Sequence, residues 1–294
     1  MKKNLFMAGL ILLFAACSSD KDSIYNDTSV PVRVHVNDFA LSMDEFPTTR
    51  ASAVTSYNGV KAITLAFYTS DGTEQYKVTQ LRNDASNYTT FGDFELTLPL
   101  GSYTMVVLGY GKDVDDALVL TSPTQAEYTG AHTRETFAAT QAVNINSTDA
   151  VELSATLNRI IAKLEVYSSD NRTANATNVR MTFSTGGKAF NPTSGLATVN
   201  TGFSNTVGIS SAVGATTKSV SYLFLATDEQ TANFTIETLD SDGNTLFTKT
   251  VNNVPFQRNR VTKLTGAMYD VSASATAGSF QLNTDWSEDT NLTF

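Results

Sequence analysis

The stretch VPVRVHV, residues 30–36, alternates Val30, Val32, Val34 and Val36 with Pro31, Arg33 and His35. Successive side chains on an extended backbone point to opposite faces, so this spacing predicts a β-strand with one buried and one wetted face. On a helix the same valines would be scattered around the circumference. Further along the chain, KAITLAFY (61–68), YTMVVLGY (103–110), IIAKLEVY (160–167), SVSYLFLA (219–226) and FTIETL (234–239) are rich in β-branched and aromatic residues. Such runs predict buried or half-buried strands. Turn pairs separate them at Asp71-Gly72, Leu100-Gly101, Gly186-Gly187 and Asp242-Gly243. No segment carries a long, capped helical pattern. Residues 123–141 read as a short helix or an extended loop. The fold class is therefore all-β, with a sandwich as the expected architecture.

An internal echo points to two related domains. ITLAFYTSDGTEQYKVTQ (63–80) and FTIETLDSDGNTLFTKTV (234–251) both read strand, Ser-Asp-Gly turn, strand. Each is followed by another strand, GSYTMVVLGY in the first copy and NRVTKLTGAMY in the second. The domains fall at about 30–153 and 154–294, divided near NSTDAVELSATLNR.

The N-terminus reads as an address. Lys2 and Lys3 precede an unbroken apolar run of 12 residues, Leu5 to Ala16. A membrane-spanning helix needs ~20, so residues 1–16 are expected to be a signal peptide. Ala15-Ala16-Cys17 resembles the lipobox of bacterial lipoproteins, in which the cysteine is acylated and the chain cut just before it. Phe14 departs from the leucine usual at its position. The plainer alternative is an ordinary signal peptide cut near Ala16, with Cys17 incidental. Several palmitate-type chains on Cys17 would hold the protein on a membrane without a spanning helix. Residues 17–29 form a polar tether, and Ser18-Ser19-Asp20-Lys21-Asp22 resembles a surface-export signal of lipoproteins in some Gram-negative anaerobes.

Without Lys2 and Lys3, 18 basic residues face 29 acidic ones, a formal charge of −11. An acidic chain with no basic cluster is poorly suited to nucleic acid or anionic lipid surfaces. Cys17 is the single cysteine and, once acylated, leaves no thiol, so neither a disulfide nor a thiolate metal site is expected. Two histidines, His35 in the alternating strand and His132 in a polar loop, leave little material for triads or zinc sites.

Other candidates for chemistry have structural explanations. DSDGN (240–244) lacks the ligand spacing and closing Glu of a calcium loop. KDVDD (112–116) reads as a solvated acidic turn. Gly109 and Gly111 form a G-x-G without a third glycine or a following helix, and G-x-S-x-G is absent. Trp286 is the single tryptophan. No catalytic residue, metal ligand or cofactor is predicted, and the chain is not expected to be an enzyme.

The segment Phe46-Pro47-Thr48-Thr49-Arg50-Ala51-Ser52-Ala53 follows the first strand. Its small, Pro- and Thr-rich composition marks an exposed site for proteolysis, with Arg50-Ala51 suited to an arginine-specific protease. At this point the layout resembles the fimbrillin family of type V pilus subunits. The resemblance covers most of the chain, through the leader, GVKAITLAFY, LPLGSYTMVVLGYG, LNRIIAKLEV, KAFNPTSGLA, SYLFLATDEQ, PFQRNRVTKLTGAMY and SFQLNTDW. These are packing motifs, so the likeness speaks to architecture rather than reaction chemistry.

The resemblance implies two tandem transthyretin-like β-sandwiches exported to the outer membrane surface as a lipoprotein of a fimbrium. It implies cleavage after Arg50, with Ala51 as the new N-terminus and the strand bearing Val30, Val32, Val34 and Val36 displaced. A strand from another fimbrial subunit would refill the groove. Phe280, Leu282, Leu292 and Phe294, alternating near the C-terminus, are the candidate donor residues. If Arg50 stays uncut, the same fold serves as a membrane anchor held through Cys17. Either role supports adhesion to a host or bacterial surface ligand. A reading from another class, a glycan-binding surface lipoprotein, calls for clustered exposed Trp and Tyr. Here Trp286 is alone and the tyrosines are scattered through strands.

Overall fold

The computed structural model describes residues 29–40, 51–54, 56–86, 88–112, 118–269 and 281–283. These residues contain strands and no helix. Eight strands form the first sheet: β1 (Val30–Ala40), β2 (Ala51–Ala53), β3 (Ala62–Thr69), β4 (Glu74–Leu81), β5 (Asp93–Leu98), β6 (Gly101–Tyr110), β9 (Thr136–Ile145) and β10 (Val151–Arg159). Their order is β2-β1-β10-β9-β6-β3-β4, with β5 also paired to β1. Strand β10 crosses the expected domain division at 153/154, because it pairs with β1 from Val32↔Val151 to Ala40↔Asn158.

The near-continuous apolar runs in β3 and β6 have a direct cause. Both strands are buried on both faces, as expected for sheets covered on each side. Ile63, Leu65 and Phe67 join a core with Met105, Val107 and the valines of β1. Ala62, Ala66 and Tyr68 face the other way, into a second core with Val106 and Leu108. That second core also holds Leu120, Ala126 and Tyr128 of a three-stranded sheet made of β7 (Leu118–Ser122), β8 (Gln125–Tyr128) and β13 (Ala189–Phe190). It reaches as far as Ile160, Ile161 and Phe224.

Residues 123–141, read from sequence as short helix or loop, contain β8 and most of β9. Local propensity did not decide this. Tyr128 stacks near Phe224, with ring centroids 6.3 Å apart, and Phe137 meets Phe39 at 5.0 Å. Both contacts are long-range, and they override a weak local signal.

The rest of the chain forms two four-stranded sheets. One is ordered β15-β11-β18-β19, from β11 (Ala162–Ser168), β15 (Lys218–Leu223), β18 (Val261–Gly266) and β19 (Gln281–Asn283). The other is β14-β12-β16-β17, from β12 (Asn178–Phe183), β14 (Phe203–Gly208), β16 (Glu229–Leu239) and β17 (Thr245–Gln257). A third core lies between them, with Leu164, Val166, Met181, Phe183, Phe234, Ile236, Phe256 and Leu264.

The two echoed segments both fold as hairpins, β3–β4 and β16–β17. Gly72 (φ 85°) and Gly243 (φ 84°) take the left-handed conformation that each turn requires. The echo stops there. Strand β6 pairs with β3 of its own hairpin, whereas β18 pairs with β11 in the other sheet.

One buried carboxylate makes the second half sensitive to acid. Glu165 on β11 lies 2.8 Å from both Lys163 Nζ and Lys218 Nζ, and the Tyr167 hydroxyl donates to it at 2.6 Å. Burial alone would raise its pKa, but these hydrogen bonds outweigh it and lower the pKa from 4.5 to about 2. A depressed folded-state pKa contributes stability above the unfolded value that is lost as pH falls through the folded one. Thermal unfolding of the native protein should therefore lose stability between about pH 4.5 and about pH 2. Glu165→Gln should remove that component of the slope.

Candidate strand-exchange site

The residues singled out in the first strand sit on β1, which has a partner along both edges. On one edge it runs parallel to β10. On the other it pairs antiparallel with β5 over Val30–His35 and then with β2 over Asp38–Ala40. Val30, Val32 and Val34 are completely buried and Val36 nearly so. A register shift between Val36 and Asp38 then inserts one extra residue into β1. Such a bulge changes which side chains face inward. The inward position passes from residue 38 to residue 39, so that Phe39 is completely buried and Asp38 is only half-buried.

The seat of Phe39 depends on a residue of β6. A Cβ built on Gly109 would lie 2.8 Å from Phe39 Cε1 and 3.1 Å from Leu157 Cδ2. Glycine is required there so that β1 and β6 can pack closely. The half-motif Gly109-x-Gly111 thus has a packing role.

The outer face of β1 is a charge ladder. Arg33 reaches Glu95 on β5 at 3.2 Å and Glu152 on β10 at 3.5 Å. His35 reaches Asp93 on β5 at 3.0 Å and Glu152 at 3.4 Å. Basic groups on the central strand are thereby tied to acids on both neighbours. Exposed pairs of this kind each contribute about 0–1 kcal/mol. The hydrogen bond to Asp93 is the main cause that raises the His35 pKa above 6.5, burial opposes it, and the charges of Asp93 and Glu152 add to the rise. A raised histidine pKa gives stability that is present below the unfolded value and lost as pH rises through the folded one. His35→Gln should flatten this dependence. The check is the pH dependence of thermal unfolding above pH 6.5, compared with the parent chain.

Beneath the end of β10 lies a polar group that sequence reading missed. Arg159 pairs with Glu135 at 2.6 Å and donates to Asn259 Oδ1 at 3.2 Å, and the Tyr57 hydroxyl donates to Glu135 at 2.6 Å. Burial, then the Glu135 charge, pushes the Tyr57 pKa up. No local pattern flags this cluster, because its members lie 78 and 100 residues apart in the chain.

Of the predicted cleavage pair Arg50-Ala51, only Ala51 is among the described residues. Ala51 opens β2 and pairs with Ala40, the last residue of β1. Arg50 falls in 41–50, outside the described residues, as do Cys17, Phe280, Leu292 and Phe294. Leu282 lies in β19, opposite Leu264 of β18 in the second half's own sheet. Among the described residues no group of three or more His, Cys, Asp and Glu is placed to hold a metal, and no helix is long and apolar enough to cross a membrane. His132 meets Asn205 through its ring nitrogen. In DSDGN, Asp240 accepts from the backbone N–H of Asp242 at 2.9 Å and of Asn244 at 2.8 Å, which closes the hairpin turn.

A model for a family of unknown function, DUF6562, matches residues 27–292. No curated protein matches the chain in sequence. Among solved structures the chain is similar to a candidate adhesin from Bacteroides ovatus at TM-score 0.51 and 9% identity, covering 90% of this chain and 97% of that one. A second Bacteroides ovatus candidate adhesin gives 0.48 and 12% identity, covering 82% and 88%. The fimbrial anchor protein Mfa2 from Porphyromonas gingivalis gives 0.47 and 11% identity, covering 86% and 95%. At these identities the likeness is one of fold.

Proposed function

We propose, for a chain that belongs to the family of unknown function DUF6562, a non-enzymatic role as a structural subunit of a type V fimbria. In this reading it is a surface lipoprotein, cut at residue 16 and acylated on Cys17. It is built as two transthyretin-like sandwiches over about 30–153 and 154–294. Separate cores support two units, one holding residues between 30 and 157 and the other residues between 162 and 269, with β10 as a whole belonging to the first. The adhesive class is supported by the sequence resemblance to fimbrillins and by the fold shared with the first candidate adhesin.

One observation carries the assembly mechanism. Strand β1 is paired along both edges, and the chain passes from it to the other described strands through residues 41–50. A cut after Arg50 would leave β1 held by packing and hydrogen bonds alone. Burial of Val30, Val32, Val34, Val36 and Phe39 contributes on the order of 10 kcal/mol. The cut strand would therefore remain seated until a competing strand replaced it residue by residue. An empty groove would expose apolar side chains and unpaired backbone edges of β5 and β10. A donor strand from another subunit would restore both. Head-to-tail transfer of this kind does not close, so it propagates as a filament.

Intact-mass analysis of the protein from native outer membrane and surface filaments tests this reading. A chain beginning at Ala51 without lipid is the expected result for a polymerising subunit. Acylated Cys17 with no Ala51 form would make the protein a membrane anchor with β1 retained. An unlipidated start at Ser18 or nearby would overturn the lipoprotein assignment.

A further inference from the structure

The first sheet contains a seam that the β1 site does not explain. Strand β9 pairs with β6 along its full length, from Tyr110↔Thr136 to Gly101↔Ile145. Strand β10 pairs with β1 over nearly all of its length. Between β9 and β10 only Ala138↔Asn158 and Phe137↔Arg159 are paired, next to a hydrogen bond from Ile160 N–H to Thr136 O at 3.0 Å. Continuing that ladder would match Thr140 with Thr156 and Ala142 with Ser154, and neither bridge forms. Backbone groups on an antiparallel strand alternate in direction. Those of Thr140, Ala142, Ser154 and Thr156 therefore face the seam and have no strand partner. Thr140 is half-buried and the other three are exposed.

A cavity of about 590 Å³ occupies the paired end of this seam. Its wall carries Met105, Ala139 and Ala155 from the core side, with Thr140, Ser154 and Thr156. The loop Pro192–Gly195 and Arg258 close one end. The two guanidinium groups at the cavity are already matched by acids, Arg159 by Glu135 and Arg258 by Asp228, each at 2.6 Å. The remaining lining is uncharged, and most of it is small.

The geometry points to this seam as a docking slot for an extended, uncharged polypeptide strand from a partner protein, separate from the groove that β1 fills. Two facing sheet edges with open donors and acceptors call for a strand rather than a sugar or an ion. Small side chains at Ala139 and Ala155 leave room for residues such as Ala or Val on the inward face of that strand. Thr140, Ser154 and Thr156 suit polar residues on its outward face. Residues 146–150 join β9 to β10 at the far end, so the strand must enter sideways rather than thread through.

The test uses the uncleaved chain, with β1 in place, and an acetylated, amidated peptide SVTATVS carrying a photo-crosslinker. The expected result is crosslinking to β9 and β10, with slowed amide exchange at Thr140, Ala142, Ser154 and Thr156. N-methylation of alternate peptide residues removes donors without changing side chains. It should weaken binding at least tenfold, and Ala155→Leu, which fills the slot, should do the same. No binding, binding insensitive to N-methylation, or crosslinks confined to other sheet edges would each overturn the proposal. The N-methyl comparison needs no variant protein, so a folding defect in Ala155→Leu cannot obscure the answer. The outcome is also independent of cleavage at Arg50.

Discussion

Val34→Asp is expected to destabilise the protein by upwards of about 4 kcal/mol, because it places an unpaired carboxylate in a dry core. Val34 is completely buried, opposite Phe94 on β5 and Leu153 on β10. None of the nearby basic groups can reach it: Arg33 and His35 project from the opposite face toward Glu95, Asp93 and Glu152. Against a typical total stability of about 5–15 kcal/mol, such a loss unseats β1 or unfolds the first sheet. The neighbouring Arg33→Ala should change stability by no more than about 0.5 kcal/mol, since its pairs are exposed. Urea unfolding of the two variants side by side is the measurement. Equal midpoints would mean that the inward face of β1 is not the core face.

The second large effect is expected at Phe224. Its ring is completely buried, stacks on Phe190 with centroids 4.1 Å apart, and lies near Tyr128. Phe224→Ala should cost about 3–5 kcal/mol, the usual range for removing a large buried aromatic. Its place in the fold makes the pattern of loss informative. The core around Phe224 takes Ala62, Val106 and Leu108 from the first sheet and Ile160, Ile161 and Phe190 from beyond it. Amide exchange should therefore accelerate in β3 and β6 together with β11 and β15. A response confined to residues after 160 would show that this core does not couple the two halves.

These two positions differ in how far the sequence alone reveals them. Val34 belongs to an alternation visible in seven consecutive residues, and local geometry dictates its burial. The hairpins at Asp71-Gly72 and Asp242-Gly243 are equally local, since a tight turn needs its glycine within four residues of both strands. Phe224 sits in SYLFLA, where a run of apolar residues does not distinguish its partners. Its stack with Phe190 and Tyr128 draws on residues 34 and 96 positions away. The β1 bulge shows the same limit. Alternation through Val36 predicts an inward residue at 38, and the pairing with β10 moves it to Phe39.

The candidate site divides along the same line. The sequence by itself determined that β1 is a strand with a valine face, that the chain is all-β, and that Cys17 and Arg50 stand in the flanking segments. These features depend on residue type, period and nearest neighbours. Only the tertiary structure decided that β1 lies between β10 on one edge and β5 and β2 on the other. It alone decided that Gly109 makes room for Phe39, and that β9 and β10 part to leave a seam. Parallel pairing of β1 with β10 joins residues more than a hundred positions apart. Such contacts form only where the whole chain can bury their surface at once, and no short window of sequence contains that balance.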